Sequence, residues 1–225
     1  MPEFAAATVR LRTPEDAVAL PVRGSVELGA WAGEAARRLV ESGDDEPRLL
    51  GALTTELREA ALDSRERGPI TALSYVPEPR LGELARIELS ALVADDTHPV
   101  LTVELLQRYL AAPTPVSYRP PEAELRTLPV GPAVRVRHAY VQDVGRDGLG
   151  TVMETCAYGI RADETWGLVL LTSWKALART DELCELTDEL AATVRVTGWP
   201  AGRSRSGAGR GARPPTTSGG TRIRP

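Results

Sequence analysis

Between Val134 and Trp174 the sequence offers no face that belongs in water. Three runs rich in β-branched and aromatic residues, about Val134 to Val144, Thr151 to Arg161 and Trp166 to Trp174, predict three long antiparallel strands. Asp147-Gly148 stands between the first two, and that pair suits a type I′ turn because both central residues take positive φ. A two-residue loop there sets Tyr140 opposite Thr155, His138 opposite Ala157 and Val136 opposite Gly159. With a second turn at Asp163-Glu164, one face collects Val134, Val136, Tyr140, Met153, Ala157, Trp166, Leu168, Leu170 and Trp174. The other collects Ala139, Val141, Val152, Cys156, Tyr158, Ile160, Val169 and Leu171. A sheet wet on one side alternates apolar with polar residues, and this one is apolar on both, so each side needs a cover. The expected fold is α/β of the α+β type: an antiparallel β-sheet covered by helices on both faces, an α/β/α sandwich.

The remaining chain supplies the covering helices. From Ser25, a candidate N-cap, Leu28, Trp31, Ala35 and Leu39 step at helical spacing toward a stop at Gly43. A second helix, about Glu46 to Arg67, carries Leu49, Leu50, Leu53, Leu57, Ala60 and Ala61 on one side and ends at Gly68-Pro69. Trp31 and that leucine stripe could line a ligand groove, but apolar stripes at this spacing ordinarily form core. Thr8 to Arg12, Val18 to Val22, Ile70 to Val76 and Leu84 to Val93 read as strands, the last alternating Ala85, Ile87 and Leu89 with Arg86, Glu88 and Ser90. Val103 to Ala111 reads as a short helix, and about Asp181 to Val194 as a final amphipathic one that Thr180 or Asp181 can cap. Between them Pro113, Pro115, Pro120, Pro121, Pro129 and Pro132 surround a β-like piece, Ala123 to Leu128. Proline at that density excludes helix and confines strands to sheet edges.

The chain has 225 residues, 42% of them hydrophobic, enough for one substantial core. The expected organisation is a single domain over residues 1–200 and a disordered tail over 201–225, rich in Arg, Gly, Pro and Ser. Removing the six tail arginines from the net charge of -4 leaves -10 on the body. An acidic body is a poor nucleic-acid surface, because such binding draws on cationic neutralisation of phosphates. Only the tail arginines Arg203, Arg205, Arg210 and Arg213, with Arg222 and Arg224, could add weak contacts of that kind. Neither a signal-type apolar stretch near Met1 nor an apolar run of membrane-spanning length is present, which makes a cytoplasmic protein without a membrane span the expectation.

No stretch carries a catalytic, metal or nucleotide signature. Asp95-Asp96-Thr97-His98 groups two carboxylates and an imidazole, but a Pro-bounded loop without a further histidine is a poor metal frame. Gly145-Arg146-Asp147-Gly148-Leu149-Gly150 is flanked by strands, whereas a phosphate cradle opens a helix. Cys156 and Cys184 lack CxxC spacing and read as buried apolar residues, or else as a pair close enough to oxidise. His138 stands mid-strand with no nucleophile elbow to serve, and reads first as a hydrogen-bonded structural residue.

The run Gly167-Leu168-Val169-Leu170-Leu171-Thr172-Ser173-Trp174, then Glu182 to Val196 ending in Ala192-Thr193-Val194-Arg195-Val196, resembles the PsbP-like α/β/α sandwich superfamily, which includes LpqN-type lipoproteins of bacteria. The resemblance covers about residues 70 to 196. The chain departs from those lipoproteins in showing no signal or lipidated cysteine. Members of the superfamily look like binding and accessory proteins, and the resemblance implies that role here. The functional expectation is thus a non-catalytic accessory or adaptor protein, not an enzyme, needing no cofactor and acting on an unidentified protein partner. The alternative is a small-ligand binder or enzyme with a pocket between the sheet and the N-terminal helices, lined by His138, Tyr140 and Tyr158.

Overall fold

The computed structural model describes residues 8–40, 46–114, 116–142 and 150–198. In chain order the elements are strands β1 (Thr8–Arg10) and β2 (Ala17–Leu20), helices α1 (Leu28–Leu39) and α2 (Glu46–Arg67), strands β3 (Thr71–Tyr75) and β4 (Ala85–Val93), helix α3 (Val103–Leu110), strands β5 (Glu122–Leu128), β6 (Gly131–Gln142), β7 (Thr151–Arg161) and β8 (Trp166–Trp174), helix α4 (Thr180–Thr193) and strand β9 (Arg195–Thr197). Seven strands form one antiparallel sheet in the order β2-β3-β4-β8-β7-β6-β5, while β1 and β9 pair apart from it. Helices flank both faces, so the architecture is the α/β/α sandwich that the two-sided apolar strands require.

One face holds α2 and α3. Glu88 and Arg86 on β4 reach α2, and Gly159 on β7 lies against Leu106 and Leu110 of α3. The opposite face holds α4, to which Arg135, Tyr158 and Trp174 bond. Its core packs Ile87 and Leu89 with Cys156, Ile160, Trp166, Leu168, Leu170 and Trp174 beneath Leu183, Leu190 and Val194. Beside α2, the helix α1 contributes Ala32, Ala35 and Ala36 to a second cluster with Leu53 and Leu57.

Four local expectations are corrected. First, Tyr140 pairs with Met153 and His138 with Thr155, a two-residue shift of the β6–β7 register. The shift is even and the side-chain period is two, so each residue keeps its face; the Asp147-Gly148 turn itself lies outside the described residues. Second, β8 is turned over. Ala157 pairs with Leu171 rather than Leu170, so Trp166, Leu168, Leu170 and Trp174 share a face with Cys156, Tyr158 and Ile160. The cause is one extra turn residue: Asp163 Oδ1 accepts from Thr165 N, Thr165 Oγ1 and Trp166 N at 2.6, 2.8 and 3.1 Å, building a three-residue loop over Asp163 to Thr165. Third, Glu27 rather than Ser25 caps α1, its carboxylate accepting from Gly29 N and Ala30 N; α1 ends at Leu39, and Gly43 lies outside the described residues. Fourth, α4 begins at Thr180 without the side-chain cap expected from Thr180 or Asp181, while its end at Thr193 agrees with the expected boundary and β9 follows it.

Two glycines test this packing from opposite sides. A Cβ on Gly167 would sit 2.4 Å from Ile160 O and 2.8 Å from Leu101 Cδ2, with backbone on one side and core on the other. Gly167→Ala is expected to cost about 1–3 kcal/mol. Gly51, inside α2 with open space around it, should accept alanine with a gain of about 0.5–1 kcal/mol. Urea unfolding midpoints of the two variants check both signs.

Candidate functional site

The seven strands span roughly 29 Å from first to last at ~4.8 Å spacing. The two helices that rest on the α2 face are each about 10 Å across. They leave sheet uncovered beside α2, and there a groove of about 590 Å³ opens. Tyr140, Met153, Leu171 and Ser173 form its floor, α2 contributes Glu56, Asp63 and Arg67, and the segment from Pro77 to Leu84 and the residues Lys175 and Arg179 form its rim.

Most charged groups in the groove are already engaged. Glu88, buried at 6% exposure, accepts from Ser64 Oγ at 2.6 Å and twice from Arg67 at 2.8 Å. Arg86 donates to both oxygens of Glu83 at 2.8 and 2.6 Å and reaches the carbonyl of Ala60 at 3.1 Å. Arg67 is further tied to Asp63, and its pKa is pushed up, chiefly by the bond to Glu88. Bidentate pairs of this kind fix planar geometry and pin β4 to α2. Glu56 differs: burial raises its pKa, offset in part by a backbone bond at Glu83, and it lies against Gly82. Gly82 takes φ +77°, and a Cβ there would come within 2.5 Å of the Glu56 carboxylate.

The three residues expected to line one pocket part company. Tyr140 lines the groove and burial raises its pKa. His138 stands on the same face, 5.7 Å from Tyr140 between ring centroids, with Nε2 2.8 Å from Ser117 Oγ. Burial lowers its pKa. Tyr158 is on the opposite face, donating to Asp188 Oδ1 at 2.8 Å, the same oxygen that Arg135 Nε reaches at 2.7 Å. Burial and that bond push the Tyr158 hydroxyl above its ordinary range.

The α4 face has its own buried carboxylate. Glu154 accepts from Arg119, from Thr180 and, at 3.4 Å, from Arg137, at the mouth of a smaller cavity of about 340 Å³. Cys156 and Cys184, both free thiols, meet where β7 and α4 run together; the hydrogen bond between them, then burial, raises the Cys156 thiol, and the same hydrogen bond lowers Cys184. His98 is held by Asp95, through its backbone N at 2.6 Å and with Nδ1 at 3.6 Å. Among the described residues no group of three or more His, Cys, Asp or Glu could hold a metal ion.

Sequence reasoning missed Glu56, Glu83, Arg86 and Glu88. The alternation of Arg86 and Glu88 with Ile87 and Leu89 was legible, but it looks the same whether the polar side meets water or a polar helix face.

The fold defines a class, an α/β/α sandwich around a seven-stranded antiparallel sheet. Among solved structures the chain is similar to LpqN of Mycobacterium tuberculosis, described as involved in cell envelope biogenesis. The two share 14% identity with a TM-score of 0.45, over 85% of this chain and 84% of that one. LpqN falls within the group that the sequence resembles. No family model and no curated protein matches the chain. The cytoplasmic expectation is corrected here, since LpqN is a protein of cell envelope biogenesis. It rested on missing apolar stretches, which bear on membrane spans and do not assign a compartment. No helix among the described residues is long and apolar enough to cross a membrane.

The raised pKa of Glu56 predicts a pH effect. The folded state holds this proton more tightly than the unfolded chain, so stability falls as pH climbs from the ordinary carboxylate value of 4.5 through the raised folded value. Glu56→Gln is expected to melt higher than the parent at neutral pH and alike below the carboxylate range, measured by thermal melts across a pH series.

Proposed function

We propose that this is a non-catalytic accessory protein that works by binding another protein chain, and that β5 is where it does so. The observation carrying this reading is the state of β5. It closes one end of the sheet with its outer side unpaired among the described residues, and every residue from Glu122 to Thr127 is exposed. Leu125 stands 65% exposed. An open strand edge is a template for main-chain pairing, and added strands are a recurrent mode of protein recognition. The chemistry of the interior agrees: the carboxylates of Glu83, Glu88, Glu154 and Asp188 are held by arginines, and His138 is bonded to a serine hydroxyl. The division into one unit over residues 1–200 and a basic tail over 201–225 belongs to the same proposal.

The groove supports a second reading, a small-ligand site, because its volume suits a small molecule and both Tyr140 and the half-buried Glu56 line it. One experiment separates the two. The full chain is immobilised and the proteins it retains are identified, with Leu125→Lys and Tyr140→Ala compared against the parent. Leu125→Lys is expected to lower retention of the partner about tenfold, as a charge on an open edge discourages strand pairing, while Tyr140→Ala leaves it unchanged. Loss with Tyr140→Ala and none with Leu125→Lys would move the function to the groove.

A further inference from the structure

We infer that the strand added to β5 is β5 of a second copy of this chain, joined antiparallel about a two-fold axis through Leu125. The inference deepens the reading of β5 as an association edge and rests on it.

The register comes from the prolines. Pro121 and Pro129 bracket Glu122–Leu128. Proline donates no backbone bond and ends strand pairing, so an incoming strand can pair only within this window. Leu125 is its midpoint. Two copies approaching antiparallel fill both windows only when Leu125 lies opposite Leu125.

The charges select the same register. With Leu125 on the axis, Glu124 of each copy stands opposite Arg126 of the other, Ala123 opposite Thr127, and Glu122 opposite Leu128. Glu124 and Arg126 already bond within one strand at 2.6 Å, at 55% and 45% side-chain exposure, so the two copies would form a square of alternating charge. A slip of two residues one way keeps two Glu122–Arg126 pairs but sets Glu124 against Glu124 on the axis, a slip the other way sets Arg126 against Arg126 and leaves Glu124 opposite Leu128, and in-register parallel pairing sets like beside like, so the Leu125 register is the antiparallel one of these that pairs its charges with no like-charge contact. Glu124 pairs in the ladder with Arg135, whose side chain reaches α4, so this square lies on the α4 face. Leu125 pairs with Val134, which packs with α3, and its exposed side chain would meet its own copy on that face.

The pairing stays local. Beyond Glu122, residues Arg119, Pro120 and Pro121 stand opposite the single residue His138, between the Tyr118 N to Ala139 O bond and the Glu122–Arg137 pair. That bulge interrupts the edge. The merged sheet has fourteen strands, and the contact is smaller than the ~1,200 Å² at which standard interfaces begin. The dimer is accordingly weak and concentration-dependent.

The test is sedimentation of the full chain across a concentration series. The parent is expected to associate to a dimer. Glu124→Arg and Arg126→Glu, both at exposed positions, are each expected to weaken it about tenfold, since two attractive pairs become repulsive. An equimolar mixture of the two variants is expected to recover association, because Arg at 124 then faces Glu at 126 and Arg126 faces Glu124. A parent that stays monomeric throughout, or a mixture no tighter than either variant alone, would overturn self-pairing. Should Leu125→Lys still lose a different protein in the retention experiment, β5 remains the binding edge while its occupant is another chain.

Discussion

The turn that Asp163 holds decides which way β8 faces. Its carboxylate gathers two backbone amides and the Thr165 hydroxyl, and the loop closes over three residues. A strand one residue out of register shows its opposite side to each layer. In the observed register Trp166, Leu168, Leu170 and Trp174 lie under α4, beside Cys156, Tyr158 and Ile160 from β7. Gly167 falls on the other side, where Leu101 and the carbonyl of Ile160 leave no room for a side chain. The two core layers, and the position of α4 over one of them, depend on that loop.

Helices are then located by charge as much as by grease. Glu88 ties β4 to α2 through Ser64 and Arg67, Asp188 ties α4 to β6 and β7 through Arg135 and Tyr158, and Glu154 ties β7 to the start of α4 through Thr180. Buried ion pairs add little net stability over well-packed apolar residues, but removing one partner strands a charge. Their effect is to admit one placement of each helix on a sheet whose apolar faces would accept several. The same engagement leaves these carboxylates and hydroxyls committed to structure.

Both surfaces with functional promise arise where the helical cover stops. On the α2 face two helices cannot tile seven strands, and the groove at Tyr140 is the remainder. At the end of the sheet β5 has no strand on its outer side among the described residues, and its backbone edge is left open along a short proline-bounded window. Flanking prolines and a short edge are the usual means of restraining uncontrolled strand pairing. Here they also narrow the registers a partner strand can take.

Local chemistry was readable from residues alone. Period-two alternation located β4, runs rich in β-branched and aromatic residues located β6, β7 and β8, helical spacing located α1 to α4, and strands apolar on both sides demanded two covering layers. Proline spacing marked Ala123 to Leu128 as edge strand, one residue short of its observed start. Short-range signals determine such features because spacing and backbone restriction act within a few residues. Tertiary structure alone decided the rest. The number of residues in the β7–β8 turn depended on where Asp163 found donors, and it moved Trp166 and Trp174 to the other face. Glu88 became a buried ion-pair partner because α2 crossed the polar side of β4. Each of these depends on contact between segments tens of residues apart, and nothing in the local sequence records which face will be met.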